Sequence, residues 1–171
     1  MKTRAVYIAF LICLLMLCLS ACDPGSISYP NEESISDIVS VELIEYNNIY
    51  VSRINTLFST RKIQDFDFEK MEIIEVLSED KLEDFLNDFS ELDVWTRWSH
   101  PDSPLRTSIR IIYNNGDFDV ISCCNTEKEI ISFMAKYDSK GNFKNHIGTV
   151  EKVTAYLDLI NRYFTKQITE R

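Results

Sequence analysis

Apolar residues change their spacing several times along this chain, and each change marks an element. Residues 5–19 form an apolar run with no charge, preceded by Lys2 and Arg4. After a polar stretch, Val39, Val41 and Leu43 alternate with polar residues, with Ile44 as an extra apolar position. That period of two predicts a first strand, closed by Tyr46-Asn47-Asn48. Residues 49–54 are a candidate hairpin partner for it, residues 55–69 read as a loop, and the β-branched stretch 71–77 reads as another strand. The period then changes. Leu82, Phe85, Leu86, Phe89 and Leu92 fall at helical spacing, with Asp84, Asp88 and Glu91 on the other side. Ser78 is a candidate N-cap, and Glu79 and Asp80 complement the positive end of the helix dipole.

Residues 107–113 and 117–123 flank Asn114-Asn115-Gly116, and Asn-Gly signals a two-residue hairpin turn. With Asn115 and Gly116 as the loop, Tyr113 faces Phe118 and Ile111 faces Val120. Ile109, Ile111, Tyr113, Phe118 and Val120 then share the core face. Arg110, Ile112, Asp119 and Ile121 take the other, which is partly covered. A strand over 129–137 turns at Ser139-Lys140-Gly141-Asn142 into a short return near 143–147. Thr149 can cap a last helix whose apolar positions are Val153, Tyr156, Leu157, Ile160 and Phe164. Sequential antiparallel strands with helices set apart imply an α+β fold: a sheet of about five to six strands, with two amphipathic helices packed on one face.

The N-terminal run is too short to span a bilayer comfortably, which takes about 20 residues. A basic start, an apolar stretch and a small-residue exit describe a secretory signal instead. Leu19-Ser20-Ala21-Cys22 resembles the bacterial lipobox, position by position. The resemblance implies cleavage before Cys22, a diacylglycerol on its thiol, and confinement to the extracytoplasmic side of the cell membrane. The expected organisation is a cleaved signal over 1–21, a lipidated N-terminus and flexible tether over 22–36, and a single α+β domain over 37–171.

Without the signal, 16 basic side chains face 27 acidic ones, a formal charge of −11. That balance argues against nucleic acid and against lying flat on an anionic leaflet. Cys13 and Cys18 leave with the signal and Cys22 is acylated, so only adjacent Cys123 and Cys124 remain. They read as small apolar fillers rather than a disulfide framework or a Cys-x-x-Cys redox pair.

Candidate chemistry is sparse. His100, Asp102 and Ser103 are the residue types of a hydrolase triad, but neighbours in a Pro-flanked turn cannot readily place Asp and Ser on opposite sides of the imidazole. The same region serves better as a contact surface. Trp95, Arg97, Trp98, His100 and Asp102 form the candidate binding surface, since Trp and Arg are enriched at interface hot spots. The alternative is that one of the two tryptophans is core. Residues 64–93 carry twelve acidic side chains against Lys70 and Lys81. An EF-hand reading fails because Lys70 stands where the calcium loop needs Gly. A solvated helix face or a patch for a cationic partner remain. No metal site, no cofactor and no phosphate-binding Gly-rich loop is expected.

Residues 77–86 (Leu-Ser-Glu-Asp-Lys-Leu-Glu-Asp-Phe-Leu), Pro101-Asp102-Ser103-Pro104 and Ile111-Ile112-Tyr113-Asn114-Asn115-Gly116-Asp117-Phe118 resemble small uncharacterised lipoproteins of Gram-positive bacteria. The resemblance covers about half the chain and implies no activity. The expected function is a membrane-anchored, non-enzymatic binding or accessory domain for an envelope protein or ligand. The alternatives are a cell-envelope hydrolase built on His100 or His146, and a structural subunit of an envelope assembly.

Overall fold

Six substantial strands build the sheet, and two very short ones extend it. The computed structural model describes residues 25–46, 51–53, 61–63, 65–96, 104–125 and 130–166. In chain order the elements are β1 (Ser26–Ile27), α1 (Glu32–Ile35), β2 (Ile38–Tyr46), β3 (Val51–Arg53), β4 (Arg61–Ile63), a 3-10 turn (Phe68–Lys70), β5 (Met71–Val76) and α2 (Glu79–Ser90). β6 (Val94–Trp95), β7 (Pro104–Tyr113), β8 (Phe118–Asn125), β9 (Ile130–Tyr137), β10 (Phe143–Val150) and α3 (Val153–Tyr163) follow. Strand order is β1-β6-β10-β9-β8-β7-β2-β5, with each neighbouring pair antiparallel.

The α+β expectation stands, with eight strands in place of five or six. The extra two are β1 and β6, each two residues long and so too short to show a period. Residues 51–53 do not pair with β2; they pair with β4 in a separate two-stranded sheet. Residues 61–63 and 68–69, expected within a loop, belong to β4 and to the 3-10 turn.

Both long helices bury their stripes in one apolar cluster. Phe85, Leu86 and Phe89 of α2 and Val153, Tyr156, Leu157 and Ile160 of α3 pack with Val41, Leu43, Ile109, Ile111 and Ile121 of the sheet. The helices are also tied to each other, since Arg162 and Tyr163 both donate to Asp88, at 2.6 and 2.8 Å. Ser78 takes the N-cap position of α2 without a side-chain bond. Thr149 does not cap α3; it is a buried residue of β10, and Lys152 holds the cap position.

The opposite face is covered too. Ile44, Tyr46, Phe118, Val120, Phe133, Ala135 and Tyr137 pack there around Phe66. Phe66 stacks on Tyr46 at 4.2 Å and meets Phe118 and Tyr137 edge-on. Gly141 lets the chain come this close: its amide oxygen accepts from the Phe66 N–H at 2.6 Å, and its φ of +87° favours glycine. Two covered faces explain why Leu43 and Ile44 are both apolar. Leu43 points to the helices and Ile44 to the aromatic cluster.

The β7–β8 hairpin corrects the expected register. Its loop holds three residues, Asn114, Asn115 and Gly116, with Gly116 at φ +82°. Tyr113 N–H donates to the Asp117 carbonyl and Gly116 N–H to the Tyr113 carbonyl, both at 2.9 Å. This is a turn closed by a glycine bulge. Ile112 therefore opposes Phe118, Ile111 opposes Asp119, and Ile109 opposes Ile121. Phe118 and Val120 pass to the aromatic face, while Asp119 and Ile121 turn to the helix face. A one-residue change in pairing exchanges every side chain of a strand between faces.

Residues 25–36, expected as tether, are folded onto the domain. β1 pairs with β6, Tyr29 and Pro30 are buried across a cis peptide bond, and Asn31 caps the single turn of α1. Tyr29 is the reason: its ring meets Phe89 edge-on at 5.7 Å. Its aromatic area is worth more buried than in a solvated linker.

Candidate functional site

The corrected register lines up a row of side chains on the helix face. Ile111, Asp119, Lys136 and Asn145 are successive cross-strand partners on β7, β8, β9 and β10. Tyr113 stands two residues beyond Ile111 on the same face. From above, the 25–36 segment lowers Tyr29 onto the row. These elements border an open cleft of about 320 Å³, lined also by Ile27, Ser28, Asn31 and Ile147.

Asp119 is its centre and is 1% exposed. Tyr29 and Tyr113 both donate their hydroxyls to Asp119 Oδ2, at 2.6 and 2.5 Å. Oδ1 is buried and has no hydrogen-bond partner among the described residues. Burial raises the Asp119 pKa above the usual carboxylate value, against the two tyrosine hydrogen bonds and the Lys136 charge, which pull it down. Burial and the adjacent carboxylate likewise raise the Tyr29 and Tyr113 hydroxyls, so both are donors at neutral pH. The Lys136 ammonium lies 4.4 Å from the centre of the Tyr113 ring, a cation–π contact. Lys136 takes no part in the ion pairs found among the described residues.

A buried carboxylate oxygen without a donor is costly, and natural interiors rarely leave one. Here Asp119 lines a cleft that also holds the Lys136 ammonium, which is in no ion pair among the described residues. The set can accept a hydrogen bond or a cation at Oδ1 and donate one from Lys136.

The structure brings together few of the residues singled out from the sequence. Trp95 is half-buried on β6, opposite Thr149, and its indole N–H is buried without a partner among the described residues. Arg97, Trp98, His100 and Asp102 lie outside the described residues, as does Cys22. His146 sits on β10 with its ring 5.0 Å from Phe133, on the aromatic face. The sheet thus separates it from Asp119. Part of the acidic stretch is used in internal bonds. Asp67 caps the 3-10 turn and pairs with Lys70, and Asp65 accepts from the Phe143 N–H. No group of three or more His, Cys, Asp or Glu among the described residues could hold a metal ion. Cys123 forms no disulfide among the described residues and is buried in the helix-side cluster.

Sequence reasoning missed Tyr29, Asp119 and Lys136. The available signal was Asp119 itself, a charge flanked by Phe118, Val120 and Ile121 in a strand with two covered faces. No helix among the described residues is long and apolar enough to cross a membrane. No protein-family model, no curated protein and no solved structure matches this chain.

Proposed function

We propose that this chain is a lipid-anchored extracytoplasmic domain that binds a small polar ligand in the Asp119 cleft. The anchor rests on Leu19-Ser20-Ala21-Cys22 and the charged-then-apolar run before it. Binding rests on one observation: a buried carboxylate with two donors on one oxygen and none on the other, at the wall of a cleft. Ligand sites fix their occupants through placed polar groups; this cleft is lined mainly by polar residues, with Ile27 and Ile147 as its apolar wall, and sits at the small end of the usual size range, about 300 Å³ upward.

Two measurements test it. Cys22→Ser abolishes palmitate labelling and moves the protein from the membrane to the soluble fraction; retained label and membrane association refute the anchor. Ligand-observed NMR against a polar fragment set gives binders to the wild type. The same binders lose saturation transfer with Asn145→Trp, which fills the cleft from an exposed position. An equal response from both proteins refutes the cleft.

A further inference from the structure

We infer that the ligand class of the cleft is a small zwitterion carrying an ammonium and a carboxylate, as a free amino acid does. This rests on the cleft reading above and adds the chemistry of its occupant. Asp119 Oδ1 has no donor, and the strongest partner for a desolvated carboxylate oxygen is a charged N–H. Lys136 stands directly across the β8–β9 ladder, with its ammonium over the Tyr113 ring and in no ion pair among the described residues. Its donors suit a carboxylate.

Directly opposed antiparallel residues hold their Cβ atoms about 4.5–5.5 Å apart, so one small molecule can span both charges. A simple cation would meet Oδ1 but face Lys136, and a simple anion would meet Lys136 but face Asp119. A zwitterion satisfies both and leaves the cleft neutral. Ile27 and Ile147 supply apolar wall for a side chain, and about 320 Å³ of space accommodates a molecule of this size.

The test uses the full lipidated chain in detergent, titrated calorimetrically with L-leucine, with isopentylamine and with isocaproate. These probes present both charges, the ammonium alone and the carboxylate alone. L-leucine is expected to bind at least tenfold more tightly than either half-molecule. Asp119→Asn and Lys136→Gln should each weaken it tenfold or more while melting near the wild-type temperature. Asp119→Asn should not weaken isocaproate, and Lys136→Gln should not weaken isopentylamine, because each removes the like charge that the half-molecule faces. Binding of isopentylamine as tight as that of L-leucine overturns the zwitterion and leaves the cleft standing. So does failure of all three probes while polar fragments still distinguish wild type from Asn145→Trp. Failure of all three together with an equal fragment response from both proteins overturns the cleft as well. L-leucine binding that neither substitution weakens also overturns the inference.

Discussion

Glu42 and Asp119 are buried carboxylates on opposite faces of one sheet, and their surroundings differ in kind. Glu42 meets Arg110, whose Nε donates to Oε2 at 2.9 Å while Nη2 donates to the same oxygen. The guanidinium also lies 5.6 Å from the Phe118 ring centre, within the aromatic cluster. Charge answers charge there, and the pair is sealed. Among the described residues, Asp119 has only neutral hydroxyls on one oxygen and nothing on the other, while the ammonium of Lys136 rests on a tyrosine ring. A paired buried ion is a structural device, and a half-answered one beside a cleft is open to an outside partner. The aromatic face holds a finished interaction, and the helix face keeps one unfinished.

The sharpest way to break this contrast is to remove the cation of the finished pair. Arg110→Met strands Glu42 in the interior and should cost ~3–5 kcal/mol, measured by chemical denaturation. The double variant with Glu42→Leu should recover most of that loss, because two apolar groups replace two charges. A single variant as stable as wild type would show that the pair is solvated.

The hairpin bulge supplies the next test. Gly116→Ala places a side chain at φ +82°, with its Cβ 3.1 Å from Ser139 Cβ, and should cost ~1–2 kcal/mol. Because the bulge sets which face Asp119 takes, this variant should also weaken cleft binding. Loss of stability with unchanged binding would separate the two roles.

Tyr29→Phe removes one of the two donors to Asp119 and should cost ~0.5–1.5 kcal/mol. It should also push the Asp119 pKa further up, since that hydrogen bond favours the charged form. Carboxyl NMR titration reads this directly, and an unmoved titration would detach the 25–36 segment from the site.

The smallest expected effect is on the pH dependence of stability. The folded-state pKa of Asp119 is raised above its ordinary value of 3.8, so the folded state holds the proton more tightly than the unfolded chain. Its contribution is therefore fully present below that ordinary value and is lost as pH rises through the raised one. Asp119→Asn does not titrate. The stability of Asp119→Asn relative to wild type should grow as pH rises across that window, then level off. A flat difference would mean that Asp119 is not desolvated. Where Arg110→Met costs stability at neutral pH, Asp119→Asn should cost little or none, and that opposition is the comparison in its simplest form.

Much of the frame was legible in order and spacing. Both helix stripes, the β7–β8 hairpin and the strands over residues 71–76 and 130–137 follow from local periodicity, because burying one face demands a regular repeat. The short strands β1 and β6 were not legible, since two residues carry no period. The role of Tyr29 was hidden in a stretch whose small polar neighbours resemble a linker. Asp119 was assigned to the wrong face because Asn114-Asn115-Gly116 accommodates either a two-residue or a three-residue loop. The choice between them depends on what each face must pack against.

The sequence by itself determined the longer elements, their α+β class and the acidic balance of the chain, since these depend on composition and on neighbours a few residues apart. Only the tertiary structure decided the site. Tyr29 and Asp119 are 90 residues apart, and Tyr113, Lys136 and Asn145 come from three different strands. Their meeting depends on strand register and on where the 25–36 segment docks. Both are set by packing on two sides of the sheet at once, which local spacing does not encode.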